Sequence, residues 1–161
     1  MNNQITKYRL LTNEELELLK PEFIQYLASN GIDAEKWESI LKSEEKERDF
    51  HLSAFSNLVL QKSLEKIKYL DFISANDIRL FYFAQEEAFL ITLKSDKIDL
   101  SKTNSITSEQ IKDIDFFTAD KKYSSTREEE IFEWLSKGCS ISKGELFYQF
   151  KKVIEANINT P

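Results

Sequence analysis

Tyr69-Leu70-Asp71-Phe72-Ile73, Ile78-Arg79-Leu80-Phe81-Tyr82-Phe83-Ala84 and Ala88-Phe89-Leu90-Ile91-Thr92-Leu93 are short runs of aromatic and branched residues in close succession. Such side chains suit the pleated, half-buried surface of a strand. Ser74-Ala75-Asn76-Asp77 and Gln85-Glu86-Glu87 separate the runs, and separators this short join consecutive antiparallel strands. The stretch therefore predicts a three-stranded meander. Its surroundings read largely as helix, which makes the fold class α+β.

On the N-terminal side, Phe50, Ala54 or Phe55, Leu58 and Leu64, with Leu52, Val59 and Ile67, form a wide apolar stripe. The stripe predicts a long helix from about Ser43 to Lys66. Asp33 is placed to cap a shorter helix carrying Trp37, Ile40 and Leu41. Before that, Thr12 and Glu15 have the spacing of a capping box, and Leu16, Leu19, Phe23 and Leu27 recur at helical intervals up to an Asn30-Gly31 stop. Pro21 interrupts the run, giving either a kinked helix, which we favour, or two helices with Pro21 in the first turn of the second.

On the C-terminal side, Lys94 to Ser108 is polar, rich in Ser, Thr and Asp, and reads as a linker. Thr107 and Gln110 suggest the cap of a short helix. Ile114 to Ala119 either finishes that helix or forms a fourth strand, since so short a run does not decide between the two periods. Thr126 before Glu128-Glu129-Glu130, then Ile131, Phe132, Trp134, Leu135 and a Gly138 stop, predict another helix. Ser142 and Glu145 form a second capping pair, opening a helix with Leu146, Phe147, Phe150, Val153 and Ile154, and Gly144 is read as tolerated in its first turn. The expected architecture is one globular domain over residues 1–161, with a helical part at about 12–67 and an antiparallel sheet of three or four strands at about 68–94. The polar linker follows at about 94–108, then C-terminal helices at about 109–157 packing on one sheet face.

Several stretches occur together in order: Lys7-Tyr8-Arg9-Leu10-Leu11-Thr12; Glu22-Phe23-Ile24; Asn30-Gly31-Ile32-Asp33-Ala34-Glu35-Lys36-Trp37; Lys66-Ile67-Lys68-Tyr69-Leu70; Phe117-Thr118-Ala119-Asp120-Lys121-Lys122-Tyr123-Ser124; and Ile141-Ser142-Lys143-Gly144-Glu145-Leu146. In this combination the chain resembles an uncharacterised protein family of Bacteroidetes, including flavobacteria, catalogued as a domain of unknown function. The resemblance implies a bacterial, cytoplasmic, stand-alone protein and carries no activity, cofactor or catalytic residue with it. Pro21 and Cys139 are departures from the family pattern.

One histidine (His51), one cysteine (Cys139) and three glycines (Gly31, Gly138, Gly144) stand against twelve phenylalanines and six tyrosines. Enzymes commonly take a base near neutral pH from His, a thiolate from Cys, or close phosphate approach from Gly-rich loops. That stock is nearly absent here, so no catalytic, cofactor-binding or metal-ligating residue is assigned. His51 lies four residues after Glu47, so a carboxylate could orient its imidazole as a base; a helical His beside acids is more often a surface or boundary residue. Cys139 lies near the expected start of the last helix, where a dipole can lower a thiol pKa; the plainer account is a small apolar residue at a turn.

Gly138 to Gly144 is superficially like a phosphate loop, but Lys143 precedes Gly144 and Glu145 follows, an order that fails the P-loop pattern. A turn and capping box between two helices accounts for it better. Asp113, Asp115 and Asp120 fail the EF-hand spacing, since Thr118 stands where Gly is needed and Ser124 where an acid is needed.

Net charge is −6 with the signs interspersed, which disfavours nucleic acid as a partner. Met1 to Lys7 lacks the apolar region of a secretory signal, no run approaches 18 apolar residues, and a lone cysteine agrees with a reducing compartment. A cytoplasmic protein without membrane attachment is expected. Its function is then read as that of a non-enzymatic interaction or adaptor protein with another protein as partner, a homo-oligomer being left open. The alternative is an enzyme or small-ligand binder with a pocket of Asp, Glu, Tyr and Lys between sheet and helices. Lys121, Lys122, Tyr123 and Glu145 are the candidate surface or pocket residues.

Overall fold

Thr12 opens the helical half as its spacing predicts. Its hydroxyl accepts the Glu15 amide at 3.2 Å while the Glu15 carboxylate accepts the Thr12 amide at 2.8 Å, pairing two donors that a helix start otherwise leaves open. The computed structural model describes residues 6–102 and 106–158, so the N-terminal residues 1–5 lie outside the described residues. The chain divides into two compact units, Met1–Ser63 and Leu64–Pro161.

In the first unit α1 (Asn13–Leu18) ends at Leu19, and α2 (Lys20–Ser29) starts again with Pro21 in its first turn. The chain therefore forms two helices and not the kinked one that the sequence favours. A first-turn residue has no intrahelical acceptor for its N–H, so the proline ring loses nothing there. Gly31, at φ 73°, follows α2; α3 (Ala34–Ser43) is capped by Asp33, whose carboxylate accepts the Lys36 amide at 2.8 Å. The long helix α4 (Glu45–Glu65) falls within the expected stripe. Leu27, Ile32 and Ile40 form the local core with Phe23, Tyr26 and Trp37 against it. The Phe23 ring stands edge-on to Trp37 at 5.3 Å and tilted to Phe55 at 4.9 Å.

The segment before α1 is tied along α4 by polar side chains that the apolar stripe conceals. The Thr6 hydroxyl donates to Ser53 Oγ at 2.9 Å, the Lys7 amide to Asn57 Oδ1 at 2.7 Å, the Tyr8 hydroxyl to Gln61, and the Leu11 amide to Ser56 Oγ at 3.0 Å. The segment has no ladder of its own, so Asn57 and Ser56 supply partners for two of its amides, the buried one at Leu11 included.

In the second unit β1 (Tyr69–Ile73), β2 (Asp77–Phe83) and β3 (Glu87–Lys94) form the predicted meander, with Tyr69 opposite Tyr82 and Leu80 opposite Ile91. β4 (Asp115–Lys122) pairs with β3 and β5 (Ser140–Ser142) with β1, giving an antiparallel sheet of five strands in the order β4-β3-β2-β1-β5. The expected three or four strands are thus exceeded. β5 holds a single apolar residue, Ile141, and takes its conformation from pairing with β1, a tertiary effect that periodicity does not register.

α5 (Arg127–Ser136) carries the Thr126–Glu129 capping box, and α6 (Glu145–Ile158) closes the described chain. They lie on opposite sheet faces, not on one. The α5 residue Trp134 packs on Phe81 at 4.6 Å, whereas the α6 residue Phe147 packs on the neighbouring Tyr82 at 6.0 Å, and successive strand residues face opposite ways. The α6 face holds the main core: Tyr69, Ile78, Leu80, Ile91, Leu93, Leu100, Ile114, Phe147 and Phe150.

Thr107 and Gln110 do bond to each other reciprocally, across a turn that runs into a 3-10 helix at Gln110–Asp113, but 115–122 and 140–142 are strand within the region expected as C-terminal helices. The expected linker is anchored in its described part. Leu100 is fully buried and its amide donates to the Ala75 carbonyl at 2.7 Å, while Ile98 and Ile106 pack on the core. Residues 103–105 of that linker lie outside the described residues.

Candidate functional site

α6 starts beside β1, where Tyr148 meets Tyr69, and reaches the β3–β4 side of the sheet by its last turns. Phe147, Phe150, Val153 and Ile154 recur at helical spacing and hold it on the sheet. Alongside Phe147, Lys151, Ile154 and Glu155 part of the surface of β3 and β4 stays open, and a groove of about 460 Å³ runs there. Tyr82, Phe89, Ile91, Phe147 and Ile154 make its apolar floor. Thr118 and Asp120 of β4 and Lys151 and Glu155 of α6 make its polar rim. Asp120 lies opposite Phe89 and Thr118 opposite Ile91, which places these four residues on the α6 face.

The outer side of this groove is a sheet edge. β4 runs eight residues, seven of them exposed, and among the described residues only β3 pairs with it. The opposite edge, β5, is three residues long. A short edge offers little for pairing, whereas an exposed edge of eight residues presents a row of backbone donors and acceptors.

The four candidate residues from the sequence are not brought together. Lys121 lies on the α5 face, its ammonium 3.3 Å from the nearer oxygen of the buried Glu130 carboxylate. Lys122 ends β4 opposite Glu87, and Glu145 opens α6 near Asp71 of β1, across the width of the sheet. Tyr123 is structural in its contacts: its hydroxyl donates to the carbonyls of Ala84 at 2.6 Å and Glu87 at 3.0 Å, bracing the β2–β3 turn. Burial pushes that phenol up to about 12. The groove itself does combine Tyr, Asp, Lys and Glu, but at Tyr82, Asp120, Lys151 and Glu155. Their sequence separation of up to 73 positions hides that grouping until β4 is known to be a strand.

His51 is a core residue and not the surface residue its acidic neighbours suggest, being 7% exposed. Its Nδ1 lies 3.1 Å from the Tyr26 hydroxyl, its Nε2 lies 3.8 Å from Glu47 Oε1, and Phe50 and Trp37 stand edge-on to the ring. Glu47 does share its helix face, at a separation beyond a hydrogen bond. Cys139 precedes β5, not the last helix, and burial pushes its thiol up, opposite to what a reactive thiolate needs. Ser142 does not cap α6 through Glu145. Its hydroxyl donates to Asp71 Oδ1 at 3.0 Å and accepts the Gly144 amide at 3.2 Å, while burial raises the Asp71 carboxyl.

Asp115 and Asp120 project to opposite faces of β4, and Asp113 lies 3.5 Å from the Lys97 ammonium, so the three acids do not converge. No helix among the described residues is long and apolar enough to cross a membrane.

Fold and groove define an α+β protein with an antiparallel five-stranded sheet, one long open edge and a helix-walled groove beside it. Over residues 6–155 the chain matches the model of a family of unknown function, DUF6495, and it belongs to that family. Neither the comparison with curated proteins nor the comparison with solved structures returns a match.

Proposed function

We propose that this chain is a non-enzymatic interaction protein of the bacterial cytoplasm, and that the groove between α6 and β3–β4 receives an extended segment of another protein. The observation that carries the proposal is the groove's composition, an apolar floor of Tyr82, Phe89, Ile91, Phe147 and Ile154 bordered by a rim with two acids, Asp120 and Glu155, to one base, Lys151. Apolar side chains of the segment fill the floor, and a Lys or Arg meets Asp120 and Glu155; the chain's net charge of −6 likewise favours a basic partner. A buried free thiol at Cys139 suits a reducing compartment.

The test uses synthetic extended peptides with alternating apolar and Lys or Arg residues, their charge-inverted counterparts with Glu, and fluorescence anisotropy on the full chain. Binding of the basic series, weakened at least about tenfold by Glu155→Lys and unchanged by Glu22→Lys in the other unit, supports the reading. Equal binding of the acidic series, or none of either, sinks it.

A second reading places a small amphipathic ligand in the same groove, favoured by a volume inside the range of ligand pockets, roughly 300–1,000 Å³, and by the grouping of Tyr82, Asp120, Lys151 and Glu155. Fragment titration followed by amide shifts at Thr118 and Lys151 separates the two, since fragments that bind where no peptide does favour the second.

A further inference from the structure

The edge that flanks the groove is self-complementary. β4 reads Asp115-Phe116-Phe117-Thr118-Ala119-Asp120-Lys121-Lys122, with an acid at its start and bases at its end, so an antiparallel copy of itself sets acid against base. Among the described residues Asp115 has no ion-pair partner, and Phe117 is 56% exposed, on the face opposite the groove.

Geometry restricts the registers. Two copies joined edge to edge in one antiparallel sheet are related by a two-fold axis normal to the sheet, which keeps the same face upward in both. Opposed residues must then share a face, so the axis passes through a residue and not between two residues. With the axis at Thr118, Asp115 lies opposite Lys121 of the second copy, Phe117 opposite Ala119, and Thr118 opposite Thr118. Symmetry makes the Asp115–Lys121 pair twice. With the axis at Ala119, Lys121 and Lys122 lie opposite Phe117 and Phe116, and no opposite charges meet. We propose that the chain forms a two-fold dimer through β4 in the Thr118-centred register, giving a continuous ten-stranded sheet.

Opposite-charge and Thr–Thr pairs directly across a ladder are the favourable ones. Lys121 already faces Glu130 of its own chain, but its side chain is 62% exposed and an ammonium has three donors, so it can meet Asp115 as well. Pairing also covers the eight-residue edge, and Ala119 is small enough to leave room beside Phe117.

The dimer alters the groove. α6 lies over β2 and β3, and strands are about 4.8 Å apart, so the two α6 helices flank the joined β4 strands at roughly 20 Å between axes. Helices are about 10 Å across, which leaves a trough about one helix wide. Each copy supplies one wall, and Thr118 and Asp120 of both supply the central floor. The pairing stands on β4 alone; the use of the trough rests on the groove reading above.

Sedimentation equilibrium of the full chain, alone and as variants, is the test. Asp115→Lys sets a lysine against Lys121, and Lys121→Glu sets a glutamate against Asp115, so each variant alone is expected to dissociate at least about tenfold more readily than the parent. In an equimolar mixture of the two variants, the introduced lysine of one chain meets the introduced glutamate of the other, and the second pair keeps the parent's Asp115 opposite Lys121. Dimer therefore returns in the mixture. Far-UV circular dichroism on each variant confirms that the fold is kept, and the mixture keeps the test sound if Lys121→Glu weakens the Glu130 contact. A parent that is monomeric up to millimolar concentration overturns the proposal, as does a dimer indifferent to both substitutions or a mixture that stays monomeric. Glu155→Lys separates this from the groove reading: loss of peptide binding with the dimer intact belongs to the groove, whereas a monomer that still binds peptide removes the pairing alone.

Discussion

The ring of Tyr69 lies 2.7 Å from the point where a β-carbon on residue 144 would sit, so β1 and the start of α6 meet only because residue 144 is glycine. The Tyr69 hydroxyl donates to Tyr148 one turn into α6 at 2.9 Å, and the same ring packs on Tyr82 and Phe147. Gly144 is therefore a seat for the helix and not a residue merely tolerated in its first turn.

Gly144→Ala is expected to destabilise the second unit by about 3 kcal/mol, combining a left-handed backbone at φ 84° with displacement of a packed ring. Gly31→Ala is the control, since its φ is also positive, at 73°, but nothing lies within 4 Å of a β-carbon there. Its cost is about 1 kcal/mol. Denaturant unfolding of both variants checks this; equal losses would show that the ring contact contributes nothing.

Tyr123 should reveal itself in alkali. Its folded pKa of about 12 lies above the ordinary 10, so the neutral phenol's contribution is complete below pH 10 and is lost as pH rises toward 12. Tyr123→Phe is expected to cost about 1 kcal/mol at neutral pH through the lost donor to Ala84 and Glu87. It should also flatten part of the stability decline between pH 10 and 12. Tyr69, also raised to about 12 by burial and by Tyr148, accounts for the decline that remains. Thermal melts across that range compare the two chains.

At the acid end the first unit carries the opposite case. Arg9 holds Glu15 in two contacts of 2.8 Å, and this ion pair, helped by the Thr12 amide, brings the carboxyl from 4.5 down to about 2. A depressed folded pKa contributes stability that is complete above pH 4.5 and lost as pH falls toward 2. Glu15→Gln is therefore expected to lower the melting point at neutral pH and to shrink the loss between pH 4.5 and 2. Both groups are open to solvent, so 1 M salt should narrow the difference between the chains. A salt-independent difference would mean that the Thr12 cap, and not Arg9, carries it.

Local signals were legible where one element satisfies itself. The caps at Thr12, Asp33 and Thr126, and the meander from Tyr69 to Leu93, follow from residues within a few positions of one another. What stayed hidden depends on distant partners. β5 is a strand because β1 lies beside it, and β4 resolves an ambiguous run because Phe116 to Thr118 align with Ile91 to Leu93. The groove lies elsewhere than at the candidates Lys121, Lys122, Tyr123 and Glu145. Its members come from β2, β3, β4 and α6, whereas Lys121, Lys122 and Tyr123 are joined only by adjacency in the chain.

The segment before α1 shows the same limit and gives a sharp test. Ser53, Ser56, Asn57 and Gln61 recur on α4 at intervals of three, one and four, and read as ordinary polar substitutions within an apolar stripe. Ser56 is 1% exposed and accepts the amide of the buried Leu11, so Ser56→Ala leaves a buried N–H without its partner. The expected loss is about 1–3 kcal/mol, whereas Ser39→Ala on the exposed surface of α3 is expected to change stability by no more than about 0.5 kcal/mol in either direction. Hydrogen exchange places the effect, because faster exchange should begin at Leu11 and spread to Lys7, whose amide meets Asn57 on the same helix. Faster exchange throughout α4 with Leu11 still protected would mean that Ser56 stabilises the helix and not the segment lying along it.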